Sequence, residues 1–335
     1  MSRRLRGGIT DDEHAGFGRP ARRTRPRTKD RPDYSAAPVA TVTTIDRGRY
    51  RCLLDGVPLT ATKARALGRK AVIVGDRVRV VGDRTGDEGT LARIVEVLPR
   101  STVLRRTADD TDPFERPIVA NADQLVIVTA LADPPPRTGM IDRILVAAYD
   151  AGLEPVLCLT KEDLAPADGL IAAYDPLDVP IVTMRPGADL SRLRELLADR
   201  VSVLVGHSGV GKSTLVNALI PGVDRATGEV NEITGRGRHT STSAIALPLP
   251  EGAGWVIDTP GVRSFGLSHV TLDAIVGAFP DLAALTAGCP RGCTHVTGAP
   301  ECALDEEAAA GRLSPERLES FRRMEGAWID RHSAS

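Results

Sequence analysis

The sequence predicts a multidomain chain: a small N-terminal β-barrel, a central α/β domain on a mostly parallel sheet, and a mainly helical C-terminal domain. Three observations predict this. Residues from about 38 to 100 form short β-rich runs separated by Gly/Asp turns. Residues from about 101 to 270 alternate short apolar runs with helical stretches. Residues from about 271 to 335 read as helices interrupted by a Gly/Cys/Pro-rich loop at 288–302. At 335 residues there is room for two or three domains. A hydrophobic content of 42% and a charged content of 26% are ordinary for a globular protein.

Residues 1 to about 37 are rich in Arg, Gly, Pro and Asp and show no hydrophobic period, so they are expected to be disordered. Ten Lys/Arg against four Asp/Glu in the first 32 residues suit an RNA-contacting arm. In the barrel region, strands are predicted at Val39–Ile45, Tyr50–Leu54, Ala71–Val74, Arg77–Val81 and Leu91–Leu98. Asp46-Arg47-Gly48 reads as a hairpin turn and Gly82–Gly89 as a longer one. Five short strands suit a small Greek-key barrel such as an OB-fold; strand count alone does not separate that from an SH3-like barrel. The interleaved cations Arg47, Arg49, Arg51, Lys63, Arg65, Arg69, Lys70, Arg77 and Arg79 favour a nucleic-acid face.

Charge is unevenly placed. Residues 1–100 hold 22 Lys/Arg against 12 Asp/Glu, a net of +10, and residues 101–335 hold 21 against 32, a net of −11. A basic front end on an acidic body points to a polyanionic partner. No run of 18 apolar residues exists, so no membrane span is expected. The Arg-rich N-terminus lacks an apolar core and does not read as a secretory signal. Five cysteines, three of them within fourteen residues, do not form a disulfide framework, which fits a reducing, cytoplasmic compartment. Nothing in the sequence demands more than a monomer.

In the central region, strands are predicted at Gln124–Ala130, Pro155–Leu159, Ile181–Met184, Val201–Val205 and Gly254–Ile257. Helices are predicted at Arg143–Ala151, Leu190–Asp199 and Lys212–Leu219. Between the fourth strand and the last helix lies Gly206-His207-Ser208-Gly209-Val210-Gly211-Lys212-Ser213, followed by Thr214, which fits the phosphate-binding loop G-x-x-x-x-G-K-[ST] at every fixed position. Its glycines let backbone N–H groups turn onto phosphates. Lys212 is placed to reach the β/γ-phosphates, and Ser213 to offer its hydroxyl to Mg²⁺. The helix N-terminus adds a favourable dipole.

Val256-Ile257-Asp258-Thr259-Pro260-Gly261 is a second element: an apolar strand delivers Asp258 to the Mg²⁺ shell, and Gly261 offers a backbone N–H to a γ-phosphate. Between the two lies Gly235–Thr242, polar and Gly-rich, where a switch segment is expected. A threonine hydroxyl there, Thr240 or Thr242, would complete Mg²⁺ coordination. Residues Val262, Arg263, Ser264 and Phe265 include no Gln to position a water, which leaves His239 as the best local candidate.

The guanine-reading candidate, Thr160-Lys161-Glu162-Asp163, lies upstream of the phosphate loop, at the end of a predicted strand. The usual reader is N-K-x-D, whose Asp accepts from the guanine N1 and N2 donors. Lys161 would pack over the base, Asp163 would read it, and Thr160 replaces the usual Asn. A hydroxyl makes fewer hydrogen bonds than an amide, so a looser hold on the loop is expected. Thr183 marks a possible fifth motif near the base. The C-terminal loop holds Cys289, Cys293, His295 and Cys302, a Cys-x3-Cys-x-His-x6-Cys pattern that suits one closed, structural, tetrahedral Zn²⁺ site.

These features together resemble the ribosome small subunit-dependent GTPase A family, the circularly permuted RsgA-type GTPases. The resemblance runs from about 38 to 330. It rests on the rotated motif order, G-x-S-G-V-G-K-S at 206–213, G-R-H-T at 237–240, D-T-P-G at 258–261 and the Cys/His cluster. It implies an OB-fold at 38–100, a permuted GTPase domain at 101–270 and a zinc-binding helical domain at 271–335; the Arg-rich arm at 1–37 is outside the resemblance. It also implies GTP hydrolysis with Mg²⁺, stimulated by the small ribosomal subunit and its rRNA, in late maturation of that subunit, with His239 as the water-orienting residue. Two departures stand out: Thr160 where the family usually has Asn, and a first cysteine gap of three residues where four is common. Because the chain passes almost directly from Asp258–Gly261 into the zinc domain, collapse of that loop on hydrolysis is expected to re-aim the domain.

Overall fold

A computed structural model describes residues 33–68, 72–107, 116–223, 244–259, 270–277 and 279–333. The chain divides into two units, Met1–Ala36 and Ala37–Ser335. In the described end of the first, the Asp33 carboxylate accepts hydrogen bonds from the backbone N–H and hydroxyl of Ser35, at 2.8 and 3.0 Å.

The second unit opens with five strands, β1 (Val39–Asp46), β2 (Arg49–Leu54), β3 (Val57–Lys63), β4 (Arg77–Gly82) and β5 (Ala92–Val97). They pair in the order β1-β2-β3-β5-β4, and β4 returns to β1, closing a barrel. All neighbours are antiparallel except β3 and β5, the connection order of an OB-fold. Both tight hairpins have two central residues at positive φ, Arg47-Gly48 and Asp55-Gly56. That is the twist-matched turn such hairpins favour. Val42, Cys52, Leu59, Val78, Val80 and Ile94 fill the interior.

The strand expected over Ala71–Val74 is not formed over its described residues, 72–74. Val72, Ile73 and Val74 are buried but make only an isolated bridge, Val74 to Val119. Their apolar run serves the junction between barrel and α/β domain. There the Ala120 N–H donates to the Val74 carbonyl at 2.9 Å, and Asp76, fully buried, accepts from Arg100 at 2.7 and 2.9 Å. The barrel's third strand is instead β3, whose Leu59 and Ala61 point inward and whose Thr60 and Thr62 lie half-buried outside.

A two-stranded hairpin, β6 (Val103–Arg106) and β7 (Arg116–Ala120), leads into the α/β domain. Then follow β8 (Gln124–Ala130), α1 (Thr138–Asp150), β9 (Glu154–Thr160), α2 (Asp168–Tyr174), β10 (Ile181–Met184), α3 (Ser191–Leu197), β11 (Arg200–Val205), α4 (Lys212–Leu219), β12 (Ile245–Pro248) and β13 (Gly254–Asp258). The sheet order is β10-β9-β8-β11-β13-β12, parallel throughout except for β12. Every residue of β8 is buried, as a central parallel strand covered on both faces requires. β12 also meets β1, at Thr44 opposite Ile245, so the barrel extends the sheet edge.

The C-terminal region carries α5 (Leu272–Gly277), α6 (Pro280–Thr286), α7 (Ala303–Ala309) and α8 (Pro315–Ser333). It has no separate core. Phe279 meets Tyr149 of α1 and Phe321 of α8 edge-on, at centroid distances of 5.0 and 5.9 Å. A polar latch lies beside them. Arg323 donates to the buried Asp142 carboxylate at 3.1 Å and covers the Tyr174 ring at 4.7 Å, and Ser320 donates to the Ala173 carbonyl at 3.2 Å.

Glu325 on α8 is fully buried, and neither carboxylate oxygen has a hydrogen-bond partner among the described residues. Burial raises its pKa from 4.5 to about 7, against a smaller opposing pull from Arg322. The folded state thus holds a proton that the unfolded chain releases near pH 4.5, so stability falls as pH rises from 4.5 to 7 and stays low above. Glu325→Gln is expected to stabilise the protein by about 2 kcal/mol at pH 8 and to change little at pH 4.5. Urea unfolding at the two pH values measures the difference.

Candidate nucleotide and metal sites

The phosphate loop joins β11 to α4, with Lys212 the first helical residue. Gly206 passes so close to β8 that a Cβ there would sit 2.4 Å from the Val128 carbonyl oxygen. Gly209 and Gly211 hold φ of +84° and +87°, which a side chain would strain. Val210 is buried beneath the loop, Ser208 and Thr214 are exposed, and Ser213 is half-buried. Lys212 Nζ donates to Asp258 Oδ1 at 2.5 Å and to the Thr259 carbonyl. The Thr259 hydroxyl donates to the Leu204 carbonyl at 2.7 Å, tying the end of β13 to β11. An ammonium and a carboxylate, both nearly buried, thus face each other beside the loop.

Thr160 ends β9 and is buried; its hydroxyl lies 2.6 Å from the Val210 carbonyl and 3.2 Å from the Thr129 carbonyl. One short hydroxyl therefore fastens the Thr160–Asp163 turn directly to the phosphate loop. Lys161 adopts φ +59°, and its ammonium donates to the Asp133 carbonyl. Asp163 is exposed, and Glu162 N–H donates to the Met184 carbonyl at 3.1 Å, linking the turn to the end of β10 beside Thr183. Thr160→Val keeps the shape and deletes the bond to Val210. It is expected to weaken nucleotide binding about tenfold, read by titration with a fluorescent GTP analogue.

In the C-terminal region the ligand atoms of Cys289, Cys293, His295 and Cys302 all lie within 4.8 Å of one another. Cys289 Sγ is 3.6 Å and Cys302 Sγ 3.9 Å from His295 Nδ1. A tetrahedral metal with bonds near 2.3 Å places its ligands about 3.8 Å apart, so the four side chains fit a closed metal site. Burial lowers the His295 pKa, which favours the neutral, ligating imidazole. The knuckle is braced from α8: Arg322 donates to the His295 carbonyl at 2.8 Å and grips Asp305 through two bonds of 2.8 Å.

His239, Thr240, Thr242 and Gly261, together with Arg263 and the rest of both segments around them, lie outside the described residues.

The RsgA GTPase family profile matches residues 97–268, more than half of the chain. The chain belongs to the RsgA GTPase family. The small ribosomal subunit biogenesis GTPase RsgA of Pseudomonas aeruginosa strain LESB58 is 41% identical over 261 residues, which cover 75% of this chain and 74% of that one. Its namesake in Azotobacter vinelandii is 42% identical over the same length and shares. The crystal structure of YjeQ from Thermotoga maritima superposes with a TM-score of 0.65 at 27% identity, covering 87% of this chain and 98% of that one. YloQ, a circularly permuted GTPase, shares the fold with a TM-score of 0.64 at 22% identity, covering 90% and 98%. As a family member the chain is a GTPase, and its barrel, α/β domain and helical C-terminal region with a Cys/His cluster match the YjeQ architecture.

Four contributors to these family sites carry no signal of that role in the sequence. Asp133 receives Lys161, Asp305 and Arg322 brace the knuckle, and Thr259 anchors β13. The first two pairs join residues 28 and 17 positions apart through contacts no local motif encodes. Thr259 was inside a recognised motif and lacked only a role.

Proposed function

We propose that the chain is a GTP-hydrolysing switch that acts on the small ribosomal subunit in its late maturation. The Thr160–Val210 hydrogen bond carries the proposal, because it joins the base-reading turn to the phosphate loop. The printed names of the relatives at 41–42% identity support the choice of partner. Asp163 reads guanine, with Lys161 over the base. Gly206, Ser208, Gly209, Val210, Gly211, Lys212, Ser213 and Thr214 hold the phosphates. Ser213 and Thr240 ligate Mg²⁺ with Asp258 behind them, Gly261 senses the γ-phosphate, and His239 orients the attacking water. One structural Zn²⁺ occupies the cluster at 289–302, since three thiolates and an imidazole are a zinc donor set. Residues 38–100 and 271–335 dock on rRNA around the GTPase domain at 101–270, aided by the basic arm at 1–37. The protein works as a cytoplasmic monomer; no helix of the described residues is long and apolar enough to cross a membrane.

The test is hydrolysis of GTP and of ATP with and without purified small or large subunits. Stimulation of GTP turnover by small subunits alone is expected. Equal turnover of ATP, or stimulation by large subunits only, would overturn the proposal.

A further inference from the structure

The three thiols of the knuckle differ in what shields them. Cys302 is 2% exposed and opens α7. The Cys289 sulfur is half-buried and accepts the Ala303 N–H at 3.3 Å, which draws on its electron density. Cys293 is half-buried as well, and no backbone N–H donates to its sulfur among the described residues. It stands in a turn whose neighbouring residues Pro290, Arg291, Gly292 and Thr294 are all exposed. That turn is closed by the Cys293 N–H on the Pro290 carbonyl at 3.1 Å, with Gly292 at φ +77°. Behind Cys293 lies a second thiol, since Cys302 shares a side-chain hydrogen bond with it.

Oxidation selects the thiolate that is reached most easily and has a resolving thiol beside it. Metal binding keeps knuckle thiols deprotonated, so the nucleophile is ready at neutral pH. We propose that Cys293 is an oxidation site for hydroperoxides, with Cys302 as its resolving thiol. The Cys293 thiolate attacks the outer peroxide oxygen. An S–O bond forms, the O–O bond breaks, and the departing alkoxide or hydroxide takes a proton from water. The Cys302 thiolate then attacks the Cys293 sulfur. An S–S bond forms, the S–O bond breaks, and hydroxide leaves to become water. Two thiolates thus lose two electrons to one peroxide. The two sulfurs start within 4.8 Å of each other and must close to about 2.05 Å, a move that falls to the exposed turn because Cys302 is fixed at the head of α7. With two of four donors gone, the cluster no longer holds a divalent ion. The inference rests on the metal occupancy proposed above, and the experiment reads the two apart.

The full chain, purified with its metal, would be treated with hydrogen peroxide. Samples would go to a sulfenic-acid trap, to alkylation and peptide mapping by mass spectrometry, and to a chromogenic zinc indicator. Cys293 is expected to be trapped at least about fivefold faster than Cys289 or Cys302. Peptide maps are expected to show a Cys293–Cys302 link, with about one zinc released per link formed. A thiol reductant with added zinc is expected to return both the reduced cysteines and the metal. The buried Cys52 and Cys158 serve as internal controls for an intact fold. Faster trapping at Cys289 or Cys302, a Cys289–Cys293 link, or a Cys293–Cys302 link formed with the metal still bound would each overturn the inference. Protein that carries no zinc before treatment, yet oxidises first at Cys293 and links it to Cys302, would defeat the metal reading alone.

Discussion

Replacing Lys212 with alanine is expected to lower GTP turnover at least about a hundredfold. In the structure the Lys212 ammonium bridges Asp258 Oδ1 and the Thr259 carbonyl, so it stands where the phosphate loop meets β13. On the proposed reading, a triphosphate entering the loop would exchange those partners for β- and γ-oxygens, and the charge-assisted bonds would strengthen as charge develops on the leaving group. Losing them costs about 3–4 kcal/mol in the transition state. Single-turnover hydrolysis at saturating GTP separates this from weaker binding. Turnover within about threefold of the parent would remove Lys212 from the chemistry. Because Lys212 is also a nearly buried partner of Asp258, the unfolding midpoint of the variant should be measured alongside.

The second large effect is on the metal. Cys302→Ser, or removal of metal by a strong chelator, is expected to release one equivalent of zinc and to lower the stability of the C-terminal region by at least about 4 kcal/mol. Without a cation, burial pushes the Cys302 thiol up to about 11, so it stays neutral and offers the knuckle little. A bound divalent ion reverses that preference and closes four chain positions on one point. Elemental analysis reads the metal, and hydrogen exchange in α7, whose first N–H donates to Cys289 Sγ at 3.3 Å, reads the structure. Protection in α7 that survives metal removal would defeat the structural role.

The buried parallel strands were the most legible part of the fold. The bounds of β8, β10 and α4 match the runs and the helix seen in the sequence, and β8 was plainest because a strand covered on both faces leaves a nearly unbroken apolar word. β3 was hidden by Pro58 and by alternating threonines, although Asp55-Gly56 was a hairpin signal. Val72–Val74 looked like a strand because burial at a domain junction selects the same residues as burial in a sheet. In the site, the phosphate loop was legible because its chemistry is contiguous. The grip of Thr160 on Val210 was not, since it joins residues 50 positions apart and depends on how β9 and β11 are placed about β8.

The edge-on trio of Tyr149, Phe279 and Phe321 has a consequence for the protein's history. The C-terminal helices are a wall of the catalytic domain, and their loss would leave Tyr149 and its side of α1 bare to water. A chain clipped near residue 270 would be a sticky remnant that proteases and chaperones clear, and not a smaller enzyme. Genome rearrangement therefore has no easy route to shedding the tail with its Cys/His cluster: the hydrolase and its tail are kept, or lost, as a single inheritance.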